Sequence, residues 1–203
     1  MEICSTDLPL HGLPRDRIRG ATMKIDTDRG PWICTISGRQ FHYMDIEPDS
    51  IQPAVIAHSL SNICRYNGHV DEFYSVAQHC WLVSHAVPVG FGMDGLLHDA
   101  AEAFVGDMVR PLKDLVGDAF RKWEEAVERA IAERFQVEWP IPKVVKTADV
   151  RVFHTEVRDL TTQSYRYPHE ESGLTALPEK IYPWPPHVAC REWMKRFVEL
   201  GGL

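Results

Sequence analysis

The stretch DAFRKWEEAVERAIAERF, residues 118–135, decides the fold class. Phe120, Trp123, Val127, Ile131 and Phe135 recur every three or four residues, while Glu124, Glu125, Glu128 and Arg129 occupy the remaining positions. That is the period of an amphipathic α-helix with Trp123, Val127 and Ile131 in the core. The same period continues outward in both directions. Asp49-Ser50 precedes a helical pattern over 51–63, with Pro53 in its first turn, where a missing N–H costs little. Ser75 is placed to cap a helix over 76–87 that Pro88 stops, and Asp94 to cap one over 95–105 that ends near Gly106. Beyond residue 135, a helix starts near Pro142, with Val144, Val145, Ala148 and Val152 on one side, and runs to about Gln163. A last helix spans about 186–200, with Trp193 and Phe197 facing inward. The segment 164–186 holds Pro, Gly and Tyr and reads as a long loop. Strand alternation occurs once, in Trp32-Ile33-Cys34-Thr35-Ile36 and Phe41-His42-Tyr43 around a Ser37-Gly38 turn, and predicts a short β-hairpin. The fold class expected is therefore mainly α: a helical bundle with a small N-terminal hairpin.

Composition narrows the function. The chain has 203 residues, of which 44% are hydrophobic and 25% charged, ordinary globular proportions for one domain with a real core. No apolar run approaches the roughly 18 residues a membrane span needs. Twenty-two Lys and Arg against 29 Asp and Glu leave a net charge of −7, which argues against a nucleic-acid polymer as partner. A small phosphorylated substrate needs only a few local cations and stays open. The five cysteines are widely spaced with no CxxC, and the N-terminus lacks a secretory pattern, so a reducing cytoplasm fits best. Residues 1–28 are polar and broken by Pro9 and Pro14. They read as a loose extension preceding a domain over 29–203, with Met23 as an alternative start to Met1.

The chemistry concentrates in Leu96-Leu97-His98-Asp99-Ala100-Ala101-Glu102. His98 and Asp99 are adjacent ionisable groups in an apolar helical stretch, and Glu102 lies on the same side, three residues after Asp99 and four after His98. His79 sits on the preceding predicted helix. Asp149 sits in the middle of a later one, where a lone carboxylate among apolar neighbours is costly to bury. A single histidine is more often a hydrogen-bonded core or surface residue than a ligand. The joint pattern of His79, His98-Asp99 and Asp149 points to one divalent ion, since imidazole with carboxylate suits a borderline ion such as Zn, Mn, Co or Fe, with Mg also left open.

The same pattern resembles the signature of the HD-domain metal-dependent phosphohydrolases. The likeness extends through Ser61-Asn62-Ile63-Cys64-Arg65-Tyr66-Asn67-Gly68-His69, Tyr74-Ser75-Val76-Ala77-Gln78-His79 and Gly106-Asp107-Met108-Val109-Arg110-Pro111-Leu112-Lys113, covering roughly residues 30–200. It is similar to bacterial 5′-deoxynucleotidases, and closer to phage-type enzymes that strip the triphosphate from dATP. The resemblance implies an HD-domain helical bundle with metal ligands at His79, His98, Asp99 and Asp149. It implies Glu102 as the acid handling the attacking water, and Asp107 beside the sugar or that water. It implies Arg65 as a phosphate or sugar contact and Lys113 near the phosphates. Tyr66 stands where the deoxynucleotidases have Trp, at a substrate-binding position.

The activity this implies is hydrolysis of a deoxynucleotide at the α-phosphorus, with dATP giving deoxyadenosine and triphosphate as the leading substrate. A 5′-deoxynucleotidase acting on monophosphates is the alternative. A nucleotide-sensing module without turnover, or a helical protein with a merely hydrogen-bonded polar interior, are the others. Trp32 on the hairpin offers a face on which a purine could stack, with core packing as its other reading. Six Trp and an aromatic C-terminal helix suggest a subunit interface, and relatives in the resembling family form dimers or hexamers, so a homo-oligomer is expected.

Overall fold

The computed structural model of the chain describes residues 25–162 and 173–202. Most of the expected N-terminal extension and part of the expected 164–186 loop lie outside them. The described residues fall into two compact units, one ending at Asp45 and one beginning at Ile46. The fold is mainly α with a small antiparallel hairpin, as the periodicities predict.

The first unit carries the hairpin. Strand β1 (Trp32–Cys34) pairs with β2 (Gln40–His42) in the register Trp32 to His42, Ile33 to Phe41 and Cys34 to Gln40. The turn between them is closed by Gly38 N–H donating to Thr35 O (2.9 Å) and Thr35 N–H donating to Arg39 O (2.9 Å). Gly38 adopts φ 79°, a conformation that a residue with a Cβ rarely takes.

The second unit is helical. Helix α1 (Pro53–Asn62) starts two residues later than the sequence suggests. A short 3-10 turn over Pro48–Ser50 precedes it, and the Ser50 hydroxyl donates to Glu47 O (2.7 Å) instead of capping the helix. Gln52 stands extended because a residue before proline is disfavoured in the helical region. Helix α2 (Val76–Ala86) begins where its cap residue predicts: Ser75 Oγ accepts from Gln78 N–H (3.2 Å). Ser75 is fully buried, so Ser75→Ala should cost about 1 kcal/mol of stability, read as a lower denaturation midpoint with an unchanged slope.

The predicted helix over 95–105 is two short helices, α3 (Gly92–Leu97) and α4 (Glu102–Val105). Between them the chain winds more tightly, with Ala100 N–H to Leu97 O (2.9 Å), Glu102 N–H to Asp99 O (3.0 Å) and Ala103 N–H to Ala100 O (3.2 Å). These bonds reach back three residues instead of four, a 3-10 pattern. Asp94 is inside α3, and its carboxylate accepts from Glu138 N–H (2.9 Å) instead of capping. Gly95 is required by packing: a Cβ there would stand 3.0 Å from Ser84 Cα on α2. That close approach brings the end of α3, and hence His98, against α2.

Helix α5 (Arg110–Val116) buries none of its residues, and α6 (Asp118–Phe135) follows directly after Gly117. On α6 only Val127, Ala130 and Ile131 are buried. Trp123, expected in the core, is half-exposed, with the Lys122 ammonium 4.9 Å from its ring centre. Helix α5 packs on α6 through Lys113, which meets Phe120 and Glu124 and not Trp123. Helix α7 (Lys143–Leu160) buries Val145, Ala148 and Val152, while Val144, expected on the same face, is exposed.

Helix α8 (Pro186–Glu199) packs on α1 and α2. Trp193 and Phe197 are fully buried and stack on each other at 5.5 Å, and Phe135 of α6 meets Phe197 edge-on. These two rings are core. They do not form the exposed aromatic face on which the sequence argument for a subunit interface leans. Among the described residues, no helix is long and apolar enough to cross a membrane.

Candidate metal centre

Arg65 is placed by backbone. A single antiparallel bridge joins Cys64 to Ser75, with Arg65 N–H donating to Tyr74 O (2.9 Å) and Val76 N–H donating to Ile63 O (3.1 Å). The chain then turns through Tyr66 and Asn67, both left-handed at φ 58° and 51°. Two consecutive non-glycine residues in that region are uncommon and carry strain that the surrounding structure must hold.

Helix α2 contributes His79, the 98–101 turn contributes His98 and Asp99, and α7 contributes Asp149. Their donor atoms meet. His79 Nε2 lies 3.2 Å from His98 Nε2, 3.1 Å from Asp149 Oδ1 and 3.5 Å from Asp99 Oδ2. His98 Nε2 lies 3.2 Å from Asp99 Oδ2 and 3.9 Å from Asp149 Oδ1. The tight winding after Leu97 differs from the continuous helix the sequence predicts, yet His98 and Asp99 both reach this point from neighbouring positions.

The imidazoles are oriented from behind. His98 Nδ1 faces Gly95 O at 2.9 Å, and His79 Nδ1 faces Glu156 Oε1 at 2.6 Å. Both partners accept only, so both Nδ1 atoms carry the proton. That turns the two Nε2 atoms toward each other and toward two carboxylates, a donor set of the kind that could hold a cation. Donors about 2.1 Å from one ion stand roughly 3.0–3.4 Å apart at octahedral or tetrahedral angles. Most of the observed spacings fit that range, so the residues present suit a divalent ion.

The electrostatics agree. Burial and the Arg65 guanidinium oppose charge on His79, but Glu156 and Asp149 outweigh them and hold its pKa above the usual value. His98 is likewise pushed well up against its burial, chiefly by Asp99. Despite burial, His98, His79 and Arg65 hold the Asp99 carboxyl below the ordinary range, and Asp149 is also lowered. A centre whose carboxylates are ionised and whose imidazoles attract positive charge is suited to a cation.

Other expected residues surround it. Glu102 is buried, and its Oε2 has no hydrogen-bond partner. Burial, then the Asp99 and Asp107 carboxylates, push its pKa well up. Asp107 is raised too, by burial and by Asp99 against the pull of Arg65. Arg65 is occupied from within, its Nη1 3.6 Å from Asp99 Oδ2 and its Nη2 3.3 Å from Glu156 Oε2. Lys113 on α5 pairs with Glu124 at 2.6 Å. Tyr66 directs its hydroxyl to Glu156 Oε2 (2.6 Å). Trp32 belongs to the hairpin unit, half-buried at the start of β1. A small cavity of about 20 Å³ lined by Leu97, His98, Glu128, Ile131 and Trp139, among others, includes none of Asp99, Glu102 and Asp149.

Two residues were not legible as site residues. Glu156 lies two turns after Asp149 on α7 and is fully buried; its signal is a carboxylate on a helix face otherwise occupied by Val145, Ala148 and Val152. Cys80 follows His79, and its Sγ falls with His98 and Asp99 in a second group of donors close enough to share an ion.

The fold and the cluster thus define a helical domain with a candidate metal centre. No family model matches the chain. Over 173 residues it is 39% identical to a protein of Escherichia coli K12 named "Uncharacterized protein YfdR", covering 85% of this chain and 97% of that one. The chain belongs to the YfdR family. It is also 35% identical over 127 residues to an uncharacterized protein of Rhodobacter capsulatus, of which it spans 64%.

Proposed function

We propose that the chain is a metal-dependent phosphohydrolase that cleaves a deoxynucleotide at the α-phosphorus, with dATP giving deoxyadenosine and triphosphate. One observation carries the reading: His79 Nε2, from α2, lies within 3.5 Å of His98 Nε2 and Asp99 Oδ2, from the 98–101 turn, and of Asp149 Oδ1, from α7, with both histidines held Nδ1-protonated from behind. His79, His98, Asp99 and Asp149 would hold the ion. A divalent ion in such a site lowers the pKa of its water toward neutrality and offsets phosphoryl charge.

The chain's own residues supply the rest. Glu102, with a free oxygen and a raised pKa, takes the proton of the attacking water. The water oxygen bonds to the α-phosphorus opposite the nucleoside 5′-oxygen, the bond from phosphorus to that oxygen breaks, and the leaving alkoxide takes up the proton that Glu102 received. Asp107 lies within electrostatic reach of the same region and suits the sugar. Arg65 offers a planar fork to a phosphate oxygen, but only by sharing it with Asp99 and Glu156. A small deoxynucleotide and a homo-oligomer in the cytoplasm complete the proposal.

One observation favours the monophosphate alternative. The Lys113 ammonium, the expected contact for outer phosphates, is already paired with Glu124. Incubation with dATP and dAMP separately, with Mn, Co, Mg or Zn, distinguishes the two. Triphosphate released from dATP supports the first reading; orthophosphate from dAMP alone supports the second. No product from any deoxynucleotide with any of the four ions rejects both.

A further inference from the structure

One buried group outside the four donors, Glu156, is engaged on both of its oxygens. Its Oε1 accepts from His79 Nδ1 (2.6 Å) and from the Tyr74 hydroxyl (2.9 Å). Its Oε2 accepts from the Tyr66 hydroxyl (2.6 Å) and faces Arg65 Nη2 at 3.3 Å. Each oxygen therefore has two positive or donating partners, which saturates an ionised carboxylate. The side chain is fully buried, and an unpaired charge at such depth would be strongly destabilising. Its pKa is pushed down to about 2: burial opposes ionisation, but Arg65 and His79 outweigh it.

The four partners come from two places. His79 is on α2, while Arg65, Tyr66 and Tyr74 lie on the connection from α1 to α2. That connection contains the left-handed pair Tyr66 and Asn67. Glu156 thus fastens a strained segment and a donor imidazole to the same two oxygens. Tyr66, expected to touch substrate, spends its hydroxyl on this carboxylate.

We infer that Glu156 is a positioning residue of the metal centre: it fixes the ring orientation and Nδ1 tautomer of His79 and locks the Arg65–Tyr66 segment against it. The inference rests on the metal reading above. Groups that bind the far nitrogen of a ligating histidine commonly change metal affinity by about 10–100-fold when removed. A carboxylate kept only for folding would change stability and leave affinity alone.

The test is calorimetric titration of the full-length parent, Glu156→Gln and Tyr66→Phe with Mn²⁺ and Co²⁺, alongside thermal melts in chelator. Glu156→Gln should weaken metal binding by about 10–100-fold, and Tyr66→Phe should weaken it in the same direction by a smaller factor. A melting temperature that falls in Glu156→Gln while its Kd stays within about twofold of the parent's overturns the inference. Should Glu156→Gln fail to fold, Tyr66→Phe decides by the same criterion, since it keeps the carboxylate and its three other partners. A parent that binds neither ion overturns the metal reading and this inference with it; a parent that binds as tightly as its variants overturns this inference alone.

Discussion

Asp99→Ala should lose both metal binding and turnover while keeping its helical circular dichroism. Asp99 Oδ2 faces both Nε2 atoms, at 3.5 Å and 3.2 Å, so its removal takes away a direct donor and half of the carboxylate charge of the cluster. The loss in metal affinity should exceed the roughly 10–100-fold typical of an outer hydrogen-bond partner. The backbone has no need of the side chain: the 98–101 turn is held by N–H to C=O bonds that alanine retains. Arg65 keeps Glu156 as its partner. Isothermal titration with Mn²⁺, together with deoxynucleotide turnover, reads the effect. Near-parent turnover by Asp99→Ala in the presence of chelator would contradict the metal mechanism outright.

Glu102→Gln separates the chemistry from the metal. Glu102 is not among the four donors, and its Oε2 has no hydrogen-bond partner. The substitution should reduce kcat by about 10²–10⁴-fold, the range of a positioned acid–base group, and leave the metal Kd nearly unchanged. The pH profile gives a second readout. The base must be deprotonated to act, and burial with Asp99 and Asp107 raises its pKa. At saturating metal, the activity of the parent should therefore rise with pH along a limb lying above the ordinary carboxylate range. Below that limb it should fall about tenfold per unit. Glu102→Gln should be low throughout and lack the limb. A limb that persists unchanged in the variant would assign the proton transfer to another group.

Much of the helical framework is legible because its signals are local. The 3.6-residue period of 118–135, the Ser75 cap and the stop at Pro88 each depend on a few neighbours, and each is observed. Helix starts fail where a competing local bond wins, as at Ser50, or where tertiary contact takes the capping residue, as at Asp94. The break between α3 and α4 follows from no local signal, since Ala100, Ala101 and Glu102 all favour helix. The close approach of Gly95 to Ser84 is a tertiary fact invisible along the chain. Trp123 shows the limit of periodicity: its spacing marks the face it lies on, but whether that face is covered depends on what tertiary structure places against it.

The candidate site divides in the same way. His79, His98, Asp99 and Asp149 stand out because ionisable groups among apolar helical neighbours need a reason to be there. The structure brings them together. Glu156 obeys the same rule, two turns beyond Asp149, but its partners, Tyr66, Tyr74 and Arg65, lie far away in sequence and only folding gathers them. The occupation of Arg65 and Lys113 by internal carboxylates is likewise set by tertiary structure, so residue type alone overstated their freedom to meet a substrate.

The central claim is that one divalent ion is held by side chains of α2, the 98–101 turn and α7. Anomalous diffraction from crystals of the full chain grown with Mn²⁺ or Co²⁺ tests it most directly. The account predicts a single strong peak bonded at about 2.0–2.3 Å to His79 Nε2, His98 Nε2 and carboxylate oxygens of Asp99 and Asp149. No peak at that position, or a peak coordinated by other residues while these four donors point elsewhere, would contradict it.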